Sequence, residues 1–288
     1  MHRLTIAVVA ACAAALAVVS LSAAAHQGIR AKHRYPHRII SLSPTVTEDL
    51  FAIGAGNQVV AVDQDSDYPS RAPRTSLSGF TPNVEAIASY HPDLVFISYN
   101  PDNLASQLRK LGIKVVDEPA VNGLKGAYAE IVGLGRLTGH VRGAKAVVHS
   151  MRTHLAAIVA SVPKTRRHLR VYHELEQDYY SATSKTFIGS IYKLFGFRNI
   201  ADGAGTAGNQ YPQLSAEYIV AKNPQIIVLA DTRCCGQSAA TVAARPGWSS
   251  ISAVQHHRIV PANDDVASRW GPRIVQFARL VARIAKQG

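Results

Sequence analysis

The 288 residues carry 31 Lys and Arg against 19 Asp and Glu, a formal net charge of +12, with 47% hydrophobic and 17% charged residues. That length accommodates two lobes, and the ordinary apolar content excludes a chain disordered throughout. The positive charge suits an anionic ligand or surface, yet zinc-finger spacing, aromatic-and-basic RNA-binding motifs and a basic helix are all missing, so nucleic acid is not an expected partner.

The chain opens with Arg3 and an uncharged apolar run over 4–25 that closes on Ala23-Ala24-Ala25. Residues 1–25 therefore read as a secretory signal or a retained membrane anchor, with 26–37 as a linker. Cys12 follows Val9-Ala10-Ala11 in lipoprotein fashion, but cleavage there leaves a very short presequence. Each reading exports the folded part, to the periplasm or the outer face of the cytoplasmic membrane.

From residue 38 short apolar runs alternate with amphipathic segments. Residues 38–42 read as a strand. Ser43-Pro44-Thr45 opens a helix, with Thr45 and Glu48 at capping-box spacing, and Gly54 and Gly56 stop it. Strands follow at 59–62, 94–98 and 114–116, the last two separated by Leu104, Leu108 and Leu111 at helical spacing. Residues 141–162 carry Val147, Met151, Leu155, Ile158 and Val162 on one stripe before Pro163, a helix about 30 Å long. A strand at 169–175, a helix at 188–195 and a C-terminal helix at 271–286 complete the pattern.

Two segments repeat. Glu85-Ala86-Ile87 precedes Pro92 and the run 93–97, and Glu217-Tyr218-Ile219 precedes Pro224 and the run 225–229. In each, a short helix ends at Pro and the chain enters a buried-type strand. The expected fold class is α/β: two Rossmann-like lobes with parallel sheets, 38–140 and 164–288, joined by one long connecting helix over 141–163, with a ligand cleft between them.

Catalytic signatures are missing: neither a Gly-x-Ser-x-Gly elbow, a Gly-rich phosphate loop nor a His-Glu-x-x-His helix occurs. Asp63, Asp65 and Asp67 lack the Gly and distal Glu of a calcium loop and read as a polar turn. No metal-ligand set emerges from the histidines. Aromatics stand out by position. Tyr68, Tyr99 and Tyr180 follow strands, Phe80 and Tyr211 precede the repeat copies, and Trp270 precedes the last helix. Residues past the strand C-termini of parallel sheets line clefts, where flat rings stack on large ligands. Arg269 and Arg233 suit anionic oxygens. Cys234 and Cys235, adjacent, either close a vicinal disulfide or remain thiols.

Residues 38–48, Ser66-Asp67-Tyr68-Pro69, 83–95, 107–116, 180–185, Pro212-Gln213-Leu214-Ser215 and Pro272-Arg273-Ile274 carry a family resemblance. In their order and spacing the chain resembles the periplasmic solute-binding proteins of vitamin B12, ferric siderophore and haem ABC importers, the vitamin B12 binders most of all. The resemblance implies two lobes that close little, cleft aromatics at Tyr68, Phe80, Tyr99 and Tyr180, and an acidic residue on each lobe that docks on the permease. Glu85 matches the first docking position; the second falls at Ser268, beside Arg269, with Asp264 or Asp265 as substitutes. A further cleft aromatic falls at Val266, leaving Trp270 to replace it. The implied function is cargo capture without catalysis, by a monomer with no cofactor of its own, the ligand bringing cobalt or iron. A haem carrier, and an enzyme or assembly factor on the same scaffold, are the alternatives.

Overall fold

The computed structural model describes residues 35–164 and 168–287; the leader of residues 1–25 lies outside them. Strand β1 (Ile39–Leu42) leads into α1 (Pro44–Ile53), followed by β2 (Val59–Val62), α2 (Val84–Ser89), β3 (Leu94–Ile97), α3 (Leu104–Lys110) and β4 (Lys114–Asp117). These strands form one parallel sheet, ordered β2-β1-β3-β4. After α4 (Leu124–Thr138) and α5 (Val141–Ala160) come β5 (Arg170–Glu174), α6 (Phe187–Leu194), β6 (Arg198–Asn199), α7 (Ala216–Lys222) and β7 (Ile226–Leu229). The chain continues through α8 (Ala239–Ala243), α9 (Ser252–Gln255), β8 (Ile259–Pro261), α10 (Asp264–Ser268) and α11 (Ile274–Gln287). The second sheet, β6-β5-β7-β8, is parallel with the same winding.

The repeat is structural. α2 with β3 and α7 with β7 hold the same place in the two sheets, and the same bonds recur at constant spacing. Arg38 Nε donates to the carbonyls of Tyr90 and His91 at 3.2 and 3.1 Å, as Arg170 Nε does to Lys222 and Asn223 at 3.1 and 2.9 Å. His91 and Asn223 both take positive φ, 48° and 45°, just before the two prolines. That turn exposes the helix-end carbonyls, and an arginine at the mouth of the neighbouring strand satisfies them.

α1 starts two residues earlier than its capping-box pattern suggests. Ser43 is the N-cap, its hydroxyl accepting from Val46 N, with Pro44 in the first turn. Thr45 is buried inside the helix, and the Glu48 carboxylate turns to two arginines instead.

The central core runs through both lobes. Val46 and Leu50 of α1, Ile131 and Leu134 of α4, Val148, Met151 and Leu155 of α5, and Phe277 and Val281 of α11 belong to one cluster. Each fully buried aliphatic here contributes about 1.5–3 kcal/mol, so the connecting helix is packed into both halves rather than slung between them. Its approach to α1 needs Gly143, where a Cβ would stand 2.0 Å from the Ile53 carbonyl oxygen. Gly135 of α4 has the same reason: a Cβ there would meet that of Ala144 at 2.5 Å. Two smaller cores cover the other sheet faces, one around Val95 and Leu108, one around Tyr172 and Trp248.

Candidate functional site

The segments that leave the C-terminal ends of the strands carry a set of uncovered rings. Tyr68, Phe80, Tyr99, Tyr180 and Tyr211 are 37% to 69% exposed, and among the described residues the one other large apolar side chain exposed to that degree is Leu111. Core aromatics behave differently: Tyr172, Tyr192, Phe96 and Trp248 are fully buried. Folding leaves these five rings in water, which a binding surface explains better than packing does.

Local bonds fix them. The Ser78 hydroxyl accepts from Phe80 N and Thr81 N, turning the chain so that Phe80 projects. Tyr99 stands 6.3 Å from Phe80, ring centroid to centroid, tilted by 46°. On the second lobe, Tyr180 forms an antiparallel bridge with Gln213, and Ser181 N donates to the Pro212 carbonyl, bringing the segments of Tyr180 and Tyr211 side by side. Tyr68 lies beneath the Arg273 guanidinium, 4.2 Å from ring centroid to Cζ, a cation–π contact that holds the ring in place.

Arg269 and Trp270 are placed otherwise. The Arg269 side chain is 11% exposed and donates to Glu48 at 3.0 Å, Asp67 at 3.0 Å, the Asp65 carbonyl at 2.9 Å and Asp265 at 2.7 Å. Those acceptors come from both lobes, so its guanidinium serves the lobe junction and is not free for a ligand. Arg273 adds a two-pronged pair with Glu48 at 2.8 and 2.5 Å. Arg233 joins the same network through Asp265 and, at 3.7 Å, Asp67. Trp270 packs against the central core and donates its indole N–H to Glu130 at 2.8 Å.

Under this junction lie carboxyls that pair with no cation among the described residues. Asp49 is fully buried, and neither of its oxygens has a hydrogen-bond partner among the described residues. Burial first, then Glu130, Glu48 and Glu118, raise its pKa well above the usual carboxylate range. Burial likewise pushes Glu130 to about 8, against the Trp270 hydrogen bond and with help from Glu118. Burial thus favours the protonated form of each.

Asp63 is buried and raised to about 6 by that burial, while the Asp67 carboxylate and the Asp65 carbonyl bind Arg269 and belong to the junction. Among the described residues no group of three or more His, Cys, Asp or Glu is arranged to hold a metal ion. His173, one of the many histidines, is a core residue bonded to the Tyr192 hydroxyl at 2.7 Å, its pKa depressed to about 3 by burial.

Cys234 and Cys235 are joined as a vicinal disulfide on an exposed loop after β7. The loop wraps the Asp264 carboxylate, which accepts from the N–H groups of Thr232, Arg233 and Cys234 at 2.9–3.0 Å. Asp264 and Asp265 thus serve loop and junction, roles their sequence positions do not announce. Glu48 and Glu130 were equally hidden, since their partners lie far away in the chain.

A model of the periplasmic binding protein family matches residues 39–266. A cobalamin-binding protein of Halobacterium salinarum is 34% identical over 84% of this chain and 67% of its own length. The periplasmic vitamin B12-binding protein of Vibrio cholerae has the same fold, with a TM-score of 0.70 and 25% identity over 88% of this chain and 99% of that one. A possible iron-binding periplasmic solute-binding protein of Staphylococcus epidermidis superposes with a TM-score of 0.75 and 27% identity, over 87% of this chain and 99% of that one.

Proposed function

Because this chain belongs to the periplasmic binding protein family, we propose that it captures cobalamin or a ferric siderophore outside the cytoplasm and delivers it to the membrane permease of an ABC importer. The observation that carries this reading is the set of five exposed rings, three on one lobe and two on the other, at the strand C-termini. Such a set offers flat apolar area to a large planar or aryl-rich cargo. The relatives named for cobalamin and vitamin B12 favour the corrinoid. The protein acts as a monomer and without catalysis, and the metal arrives with the cargo.

Spectral titration with cobalamin, ferric siderophores and haem tests the assignment. Saturable binding of a corrinoid or a siderophore supports it; a Soret shift on adding haem, with the other two inert, transfers the function to haem. Replacing Phe80 and Tyr99 together by Ala is expected to weaken cargo binding at least fivefold, about 1 kcal/mol or more for a paired aromatic contact. Unchanged affinity in calorimetry removes those rings from the site.

The repeat also supports a different second docking residue. Glu85 is the second residue of α2 and Glu217 the second residue of α7, both exposed. They occupy equivalent places on the two lobes, whereas Ser268 ends α10 and is half-buried. Hydrogen bonds at the start of its helix, from its own backbone N–H and from Ser215, hold the Glu217 carboxyl below the usual range, so it stays charged. Glu85 and Glu217 are therefore the pair proposed to meet basic groups on the permease. Glu85→Lys and Glu217→Lys are each expected to leave cargo affinity intact while lowering uptake through the permease at least tenfold. A larger loss in Ser268→Lys than in Glu217→Lys counts against this assignment.

A further inference from the structure

A cavity of about 560 Å³ lies apart from most of the aromatic surface, and of the five exposed rings only Tyr68 lines it. Its floor is apolar and comes from three elements: Phe51 of α1, Val147 and Met151 of α5, and Val275 of α11. One wall thus belongs to each lobe and the third to the helix that joins them. The volume falls in the range of small-molecule sites.

Its charge is one-sided. Arg71 and Arg279 line the cavity, and neither has a carboxylate partner among the described residues. Arg71 lies over the Phe51 ring, 5.2 Å from its centroid, which holds the guanidinium at the rim. The single acid in the lining, Glu48, is already neutralised by Arg269 and Arg273. Gln276 and Arg279 also line a second cavity, which Ile158, Ala282, Arg283 and Lys286 extend between α5 and α11. An apolar trough with an uncompensated basic rim therefore runs along the side of the molecule.

We propose that this trough is a second binding site, for a small amphiphilic anion: a carboxylate, sulfonate or phosphate head on an apolar body. The body displaces water from the floor, and the head meets guanidinium groups that no protein acid occupies. Because the arginines are partly solvated, apolar burial supplies most of the affinity and the arginines supply the preference for an anion.

Fluorescence titration of the full chain with anilinonaphthalene sulfonate, followed by competition with decanoate, tests the site. The expected result is one saturable site that decanoate empties and decyltrimethylammonium does not. The dissociation constant is expected to rise at least tenfold in Arg71→Glu/Arg279→Glu and in Val147→Trp, which fills the floor, and to stay unchanged in Phe80→Ala/Tyr99→Ala. Should charge reversal prevent folding, as read by circular dichroism, Arg71→Gln/Arg279→Gln replaces it with an expected rise of threefold or more. The proposal is overturned if the arginine variants bind like the parent, if the cationic amphiphile competes as well as decanoate, or if probe binding is lost with Phe80 and Tyr99.

Discussion

Arg245→Met is expected to destabilise the protein by about 3–5 kcal/mol, the usual cost of stranding one partner of a buried ion pair. Glu174 ends β5 with its side chain 0% exposed, and its two oxygens accept from Arg245 at 2.6 and 2.7 Å. Among the described residues Arg245 is the only cation paired with it, and Asp231, fully buried on the next strand's exit, adds a second acid. Burial first and the Glu174 charge second raise Asp231 to about 7. Without the guanidinium two buried acids are left facing each other with no paired cation among the described residues. The guanidinium also lies over the Trp248 and Tyr179 rings, at 4.7 and 5.2 Å, and a methionine side chain keeps most of that apolar contact. The measured loss therefore reports charge more than packing. Urea unfolding of Arg245→Met, Glu174→Gln and the double variant checks it. The double variant should recover most of the loss. A loss under 1 kcal/mol at neutral pH would mean that water reaches the pair.

The legible parts of this protein are those written in local signals. Pro92 and Pro224 sit where a helix must stop and a strand begin, and the apolar runs behind them are the central strands β3 and β7. Rings that follow buried strands, such as Tyr99 after Ile97, stood out because an apolar side chain there has no sheet to cover it. Helix α4 was invisible for a physical reason: Gly126, Gly133 and Gly135 dilute its pattern, and at least Gly135 is there to admit Ala144 and the His140 backbone. Contacts between distant charges were also out of reach. Arg269 and Arg273 lie more than two hundred residues from Glu48, and no spacing rule joins them. Read alone, Arg269 looks like an anion-binding group and Glu48 like a capping residue; each is half of the lobe junction. Trp270 misled in the same way, since its partner Glu130 sits on the helix the pattern concealed.

That buried Glu130 makes stability depend on pH with a sign opposite to the usual carboxylate. Its pKa is about 8 in the folded protein, against an ordinary value of 4.5. Below 4.5 it is protonated in both states and costs nothing. Between 4.5 and 8 the unfolded chain ionises it while the folded chain keeps the proton, so folding stability falls as pH rises, by about 1.4 kcal/mol per pH unit; above 8 the slope ends. Glu130→Gln removes this ionisation and leaves an amide oxygen to accept the Trp270 indole N–H. It also removes the largest carboxyl neighbour acting on Asp49, whose oxygens are otherwise unpartnered. The variant should match the parent at pH 4.5 and exceed it by a few kcal/mol at pH 8, as measured by urea unfolding at several pH values. Parallel curves would show that Glu130 is hydrated in the folded state. The effect is local to the lobe junction, because Trp270 borders Gly271, and a Cβ on Gly271 would lie 3.1 Å from Asp49 Oδ1. Ionising Glu130 thus places charge directly beneath the segment that carries Arg269 and Arg273. The same titration should loosen the junction before the whole fold gives way, and hydrogen exchange of residues 269–273 should quicken between pH 7 and 9 in the parent but not in Glu130→Gln.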